Sequence, residues 1–337
     1  MSQIECVTRA GWTAIGCVLA LACTAAITQT ARAAVLIYGY DHTNKHLVSF
    51  FSDAPSTLVG DVTLTGLVAG EFLAGLDLRP ATGELYSVAV DGSTIRVVTI
   101  DTATGAVTQV GAPAAAPFGS PYGLDFDPVA DSLSFVGDSG EIYGIDPDTG
   151  VGVLLVGLQY TGAESPMIAH IAYTSSTAGV TTTVLYGIDW SLEVLVASGV
   201  WPPNDGLLTT VGLVGIGTLG AGGFDIEPGT NAAYVALRAG SVSSLYSVDL
   251  ATGAATQVGS ISDATIAGIA IAPEPGALAS ALCAIVLLGC LRRRTPRCSS
   301  GSQEALASSG CARPGEGAGR QVIAPSSCSN NLTKVKT

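Results

Sequence analysis

Three phrases decide the fold: Gly75-Leu76-Asp77-Leu78-Arg79-Pro80, Gly123-Leu124-Asp125-Phe126-Asp127-Pro128 and Gly223-Phe224-Asp225-Ile226-Glu227-Pro228. Each is a short apolar run with an acid near its middle, stopped by proline. Weaker copies stand at His170-Ile171-Ala172-Tyr173 and at Gly268-Ile269-Ala270-Ile271-Ala272-Pro273. Their third positions, 77, 125, 172, 225 and 270, are spaced by 48, 47, 53 and 45 residues. A period of this size marks a repeat architecture, in which one unit cannot bury its apolar faces alone and stacks on its neighbours.

Further short runs follow within each unit. A second run contains a tyrosine, at Leu85-Tyr86, Leu185-Tyr186, Ala233-Tyr234 and Ile37-Tyr38. A third appears as Ile142-Tyr143-Gly144-Ile145 and Leu245-Tyr246-Ser247-Val248, and a fourth ends in Val-Gly at 110–111, 156–157, 211–212 and 258–259. The runs are rich in Val, Ile, Tyr and Thr and separated by Gly, Asp and Pro, with no useful helical period. Four short antiparallel strands per unit is the signature of a propeller blade. The repeat begins at Val35 with a second-strand run and ends near Ala272 with a first-strand run. The expected fold is therefore all-β, a five-bladed β-propeller whose first blade joins 266–272 to 35–67 and so leaves no free sheet edge. Six blades or an open β-solenoid are the alternatives.

Between third and fourth runs lies a repeated turn, Asp101-Thr102-Ala103-Thr104-Gly105, Asp146-Pro147-Asp148-Thr149-Gly150 and Asp249-Leu250-Ala251-Thr252-Gly253. Aspartate can accept from the amides ahead of it and glycine supplies the positive φ that closes a hairpin, so these acids read as turn residues. The wording of the repeats resembles an uncharacterised bacterial family, domain-of-unknown-function family 4394. The resemblance rests on Gly223–Pro228, Leu185-Tyr186-Gly187-Ile188-Asp189, Asp101–Ala106 and Leu208-Thr209-Thr210-Val211-Gly212, together with Pro203-Asn204-Asp205-Gly206. It implies a propeller-like fold and secretion, and it transfers no catalytic residue.

The two ends carry a different message. Residues 1–33 read as a secretory signal: Arg9, an apolar stretch over 11–26, then Ala31-Arg32-Ala33 as the small-x-small cleavage pattern before Ala34. At the far end, Pro273, Glu274 and Pro275 precede an apolar run of 16 residues, 276–291, and then Arg292, Arg293 and Arg294. This tripartite segment, 273–294, resembles the PEP-CTERM sorting signal, which implies an exosortase-type sorting enzyme as partner and membrane contact through this segment alone. A plain uncleaved anchor at either end is the bland alternative. Residues 295–337 form a tail rich in Ser, Gly, Ala and Cys, without apolar periodicity, and read as disordered. The propeller domain is assigned to 34–272.

Charge and cysteine follow the same partition. From 34 to 275 the chain has 24 carboxylates against four cations, Lys45, Arg79, Arg96 and Arg238, for a formal charge of −20. Such a surface excludes nucleic acid and anionic headgroups, whose binding rests on Lys and Arg. No cysteine occurs from 24 to 282, which removes thiol chemistry and thiolate metal sites from the core. The core has three histidines, His42, His46 and His170, and no Gly-x-Ser-x-Gly elbow. A zinc site at His42 and His46 lacks an evident third ligand.

The first-strand aspartates remain. Asp77, Asp125 and Asp225 share one register, with Ala172 and Ala270 in the other two copies. First strands line a propeller's channel, so three like charges are expected to converge there. They would either hold a divalent cation, calcium above all, or raise a carboxyl pKa; alternatively each accepts backbone amides and fixes its blade. The sequence points to an exported, surface-sorted, non-enzymatic propeller whose ligand it does not name, with binding or organising of extracellular polysaccharide or matrix as the expected role. A carbohydrate-active hydrolase or lyase using the channel acids, and an inert spacer, are the alternatives.

Overall fold

The computed structural model describes residues 34–273 apart from 117–119, 121, 138, 163–164, 202–204, 218–221 and 240–241. The expected signal peptide, all of the sorting segment beyond Pro273, and the tail lie outside the described residues. Strands are numbered in chain order.

Five small sheets form a five-bladed propeller. Blade 1 contains β1 (Leu36–Asp41), β2 (His46–Phe51) and β3 (Leu58–Thr63), and its innermost strand is β22 (Ile266–Ile271). In blade 2 the inner strand comes as two pieces, β4 (Phe72–Leu73) and β5 (Asp77–Leu78), both paired with β6 (Leu85–Asp91); β7 (Thr94–Ile100) and β8 (Val107–Ala115) complete it. Blade 3 runs outward through β9 (Tyr122–Asp127), β10 (Ser132–Gly137), β11 (Ile142–Ile145) and β12 (Gly152–Leu154). Blade 4 adds β13 (Gln159–Tyr160) to the outside of β14 (Ile168–Tyr173), β15 (Thr183–Asp189), β16 (Val194–Trp201) and β17 (Leu207–Leu213). Blade 5 comprises β18 (Gly222–Ile226), β19 (Ala233–Ala239), β20 (Val242–Val248) and β21 (Ala255–Ser260).

The ring closes as the repeat phase requires. β22 pairs antiparallel with β1, placing Ile37 opposite Ile271, Tyr38 opposite Ala270 and Gly39 opposite Ile269. The fifth strand of blade 4 is the departure from four strands per unit: β13 runs parallel to β17, with Gln159 opposite Leu207 and Tyr160 opposite Leu208. That pairing gives the connection from blade 3 backbone partners instead of leaving it loose.

Burial falls from the axis outward. Strands β14 and β18 are buried at every residue, whereas β12 is exposed throughout and β21 almost so. Inner and middle strands are covered on both faces because blades stack face to face, so they read as apolar runs rather than clean alternations. The core accordingly divides into five apolar clusters, one in each gap between adjacent blades. Tyr86 and Val88 of blade 2 meet Phe126 and Phe135 of blade 3, for example, while Ile37 and Phe50 of blade 1 meet Tyr234 and Leu245 of blade 5. Five gaps for five blades is what a closed ring demands. The Asp-x-x-Thr-Gly turns form as read from sequence: Asp146 Oδ1 accepts from Asp148 N and Thr149 N at 2.9 Å, and the closing glycines 105, 150 and 253 have φ of +72°, +72° and +80°.

Candidate functional site

The inner strands place the three aspartates of the repeat together on the axis. Asp77 begins β5, Asp125 lies in β9 and Asp225 in β18, and each is at most 4% exposed. One carboxylate oxygen from each comes within 4.8 Å of the other two. Oxygens this close can share one calcium ion, whose opposite ligands at about 2.4 Å each stand about 4.8 Å apart.

Their hydrogen bonds follow a rule set by the repeat. The residue after each register position, 78, 126, 173, 226 or 271, points its amide N–H at this level of the channel. Asp77 accepts from Leu78 N of its own strand and from Phe126 N of blade 3, both at 2.7 Å. Asp125 accepts from Tyr173 N of blade 4 at 3.1 Å. Asp225 accepts from its neighbour Ile226 N at 2.6 Å and from Ile271 N of blade 1 at 2.5 Å. Where a preceding blade carries alanine, at Ala172 or Ala270, the following aspartate caps its own strand as well. Three aspartates thus satisfy all five inner-strand amides, and this accounts for the two alanine registers.

This arrangement is electrostatically expensive. Burial in the channel is the main reason the Asp77 carboxyl is pushed up to about 7. Asp125 and Asp225 are also held well above the usual carboxylate range, by burial first and then by repulsion from Asp77 and, for Asp125, from Asp225. Five amide donors do not neutralise three buried charges, so the cluster takes up protons or a cation. Oxygen-only ligands close enough to share one ion and an adjoining cavity of about 100 Å³ with room for water fit calcium as the cation. That cavity opens on the lower mouth of the channel and is lined by Asp77, Asp225, Arg79 and Pro273.

A family model described as "Domain of unknown function (DUF4394)" matches residues 46–270, from the start of β2 into β22. The chain belongs to this family. No curated protein matches it. Among solved structures, the DUF4394 chain is similar to one from a nidogen/laminin complex, with 14% identity, 71% of this chain and 98% of that one covered and a TM-score of 0.43. It is also similar to TolB from Acinetobacter baumannii (12% identity, 81% and 76% covered, TM-score 0.42) and to a protein of unknown function from Bacteroides thetaiotaomicron (17%, 72% and 68%, 0.43). Likenesses this distant carry no argument about function.

Above the aspartates the DUF4394 channel is pinched shut. At the throat, glycines 75, 123, 223 and 268 let the inner strands touch; a Cβ on Gly223 would lie 2.7 Å from Gly268 Cα and nearer still to Ile269 N. His170 replaces the fifth glycine. It is 4% exposed, and its imidazole fills the throat, where only about 10 Å³ of free space remains. The aspartates are therefore reached from the lower mouth alone. The other histidines do not form a zinc site: His46 Nδ1 pairs with Asp61 on the surface at 2.6 Å, and His42 packs edge-on to Tyr40 and Phe72.

Sequence reading missed two sets of ion pairs, one half-exposed at Arg79 and one buried at Arg96. Arg79 forks onto Asp131 with Nε at 2.9 Å and Nη2 at 2.7 Å, and its Nη1 reaches Asp148 at 2.7 Å, clamping blade 2 to blade 3. Arg96 grips Glu71 through Nε and Nη2, both at 2.5 Å, which holds the Glu71 carboxyl below its usual range. The available signal was scarcity: with four cations among 24 carboxylates, an arginine lying near an acid is readily claimed by it, as Arg79 and Arg96 are.

Proposed function

We propose that this DUF4394 protein is an exported, non-enzymatic propeller whose blades are locked by a divalent cation, calcium, held by Asp77, Asp125 and Asp225. The observation that carries this is the convergence of three buried carboxylates within 4.8 Å on the channel axis. The extracellular space supplies calcium at millimolar levels, matched to sites of modest affinity. Export and sorting by an exosortase-type enzyme rest on the sequences at 1–33 and 273–294. Pro273, where the expected sorting segment starts, borders the lower mouth, on the face that holds the aspartates. The upper mouth is then free to engage extracellular polysaccharide.

Hydrolysis or lysis by the channel acids is disfavoured. Every one of them is committed to strand amides, and a cavity of about 100 Å³ is small for a sugar ring. The deciding experiment is thermal melting of the full-length protein in 10 mM calcium and in chelator. With a dissociation constant of about 10⁻⁴–10⁻³ M, calcium would add roughly 1–3 kcal/mol. An unchanged melting temperature, or a shift that survives in Asp125→Asn, would sink the calcium reading.

A further inference from the structure

The upper mouth holds a second cavity, of about 310 Å³, separated from the aspartates by the throat. Its wall combines the rings of His42, Phe72 and Tyr122 with Arg238 and, at its floor, His170. The rings form a continuous row: His42 and Phe72 centroids lie 5.8 Å apart edge-on, and Phe72 stacks on Tyr122 at 6.4 Å. Two buried nitrogens in this wall have no hydrogen-bond partner, His170 Nε2 and Arg238 Nε. Unsatisfied buried polar atoms of this kind are costly and need an explanation.

The charge pattern says what satisfies them. Arg79 and Arg96 are in ion pairs and Lys45 Nζ donates to Tyr40 Oη at 3.0 Å. Arg238 makes no ion pair among the described residues, although the domain carries 24 carboxylates. None of the described residues lining the cavity is acidic. Both histidines are kept neutral: burial holds His170 down at about 4, and burial with the nearby Lys45 and Arg238 charges lowers His42. The cavity thus offers one fixed cation, a neutral imidazole that can donate or accept, and an aromatic wall. Its volume is at the small end for ligand pockets, about 300–1,000 Å³, so it suits one ring-sized group.

We propose that the upper mouth is a binding pocket for a uronate, a sugar ring that carries a carboxylate, with Arg238 taking the carboxylate, the ring lying on Phe72 and Tyr122, and His170 Nε2 meeting a hydroxyl at the closed floor. A guanidinium recognises a carboxylate through charge-assisted hydrogen bonds, and an aromatic face takes the C–H side of a sugar ring. The proposal deepens the polysaccharide reading, and the source of the ligand rests on that reading: the same pocket would take a free uronate or the end residue of an acidic glycan chain.

The test is calorimetric titration of the full-length protein at pH 7 with methyl glucuronide, the neutral methyl glucoside, an oligouronate and a neutral glucan. Saturable binding of the glucuronide, at least tenfold tighter than the glucoside and at least tenfold weaker in Arg238→Gln, is expected. His170→Gly, which restores the glycine of the other inner strands, should also weaken it several-fold. Melting of each variant checks that it folds, and Arg238→Gln should melt like wild type. Equal binding of glucuronide and glucoside, or an unaffected Arg238→Gln, overturns the uronate pocket. Glucan binding without glucuronide binding overturns the pocket and leaves the polysaccharide reading standing. Glucuronide binding without any glycan binding does the reverse.

Discussion

Replacing Asp77 with asparagine should make stability cross over with pH, and the crossing can be worked from the channel. The Asp77 carboxyl sits at about 7 in the folded protein against an ordinary 3.8. A carboxyl raised on folding contributes stability that is complete below the unfolded value and is lost as pH climbs through the folded one. At 1.36 kcal/mol per pH unit, about 3 units amount to about 4 kcal/mol lost between pH 4 and 7.5. Asparagine does not titrate, so the variant escapes that loss. It has one carbonyl oxygen for the two amides that Asp77 serves, Leu78 N and Phe126 N. One buried N–H is left unmet, at a cost of about 1–3 kcal/mol.

In chelator the variant should therefore be less stable than wild type near pH 4 and more stable by about 1–3 kcal/mol at pH 7.5. For a domain of this size that is a relative shift in melting temperature of about 8–16 °C across the range. His170 titrates in the same window with the opposite sign. Its folded value of about 4 lies below the ordinary 6.5, so it adds stability as pH rises, but it does so in both proteins and cancels in the difference. The turn acids Asp101, Asp146 and Asp249 are lowered and act only at more acidic pH. Differential scanning calorimetry of the two proteins at five pH values is the assay. A constant difference between them from pH 4 to 7.5 would refute the reasoning, and calcium should flatten the wild-type fall.

Asp125→Asn should behave differently, because its oxygen can still serve Tyr173 N while the new NH₂ donates to a neighbouring carboxylate; in chelator at pH 7 it should be about 1–3 kcal/mol more stable by urea unfolding, with no response to calcium. Arg79→Ala removes the fork between blades 2 and 3; because Asp131 and Asp148 are 41% and 72% exposed, their charges can be resolvated, and the loss should be about 1–2 kcal/mol, shrinking with added salt. Gly223→Ala sets a methyl against the backbone of Gly268 and Ile269, which cannot step aside, and should cost about 1–3 kcal/mol or more in thermal unfolding.

The family phrases show how far the sequence reached. A spacing of 45 to 53 residues, four β-type runs per unit and a phase that starts at a second strand specified five blades and their closure through Ile266–Ile271. These are local and periodic features, so the chain displays them directly. The same register placed Asp77, Asp125 and Asp225 on the axis, because residues at equivalent repeat positions occupy equivalent places in a closed ring. What no repeat could display is how residues from different blades divide the work. That three aspartates cap five amides depends on the inner strands lying side by side around the channel, and the alanines at 172 and 270 become intelligible only there. Arg238 and His170 are singular in sequence, lacking any repeat partner, yet the ring brings them to one cavity with Phe72 and Tyr122. The period of the chain determines which blade a residue belongs to; contact across the axis, set by closing the ring, decides what that residue touches.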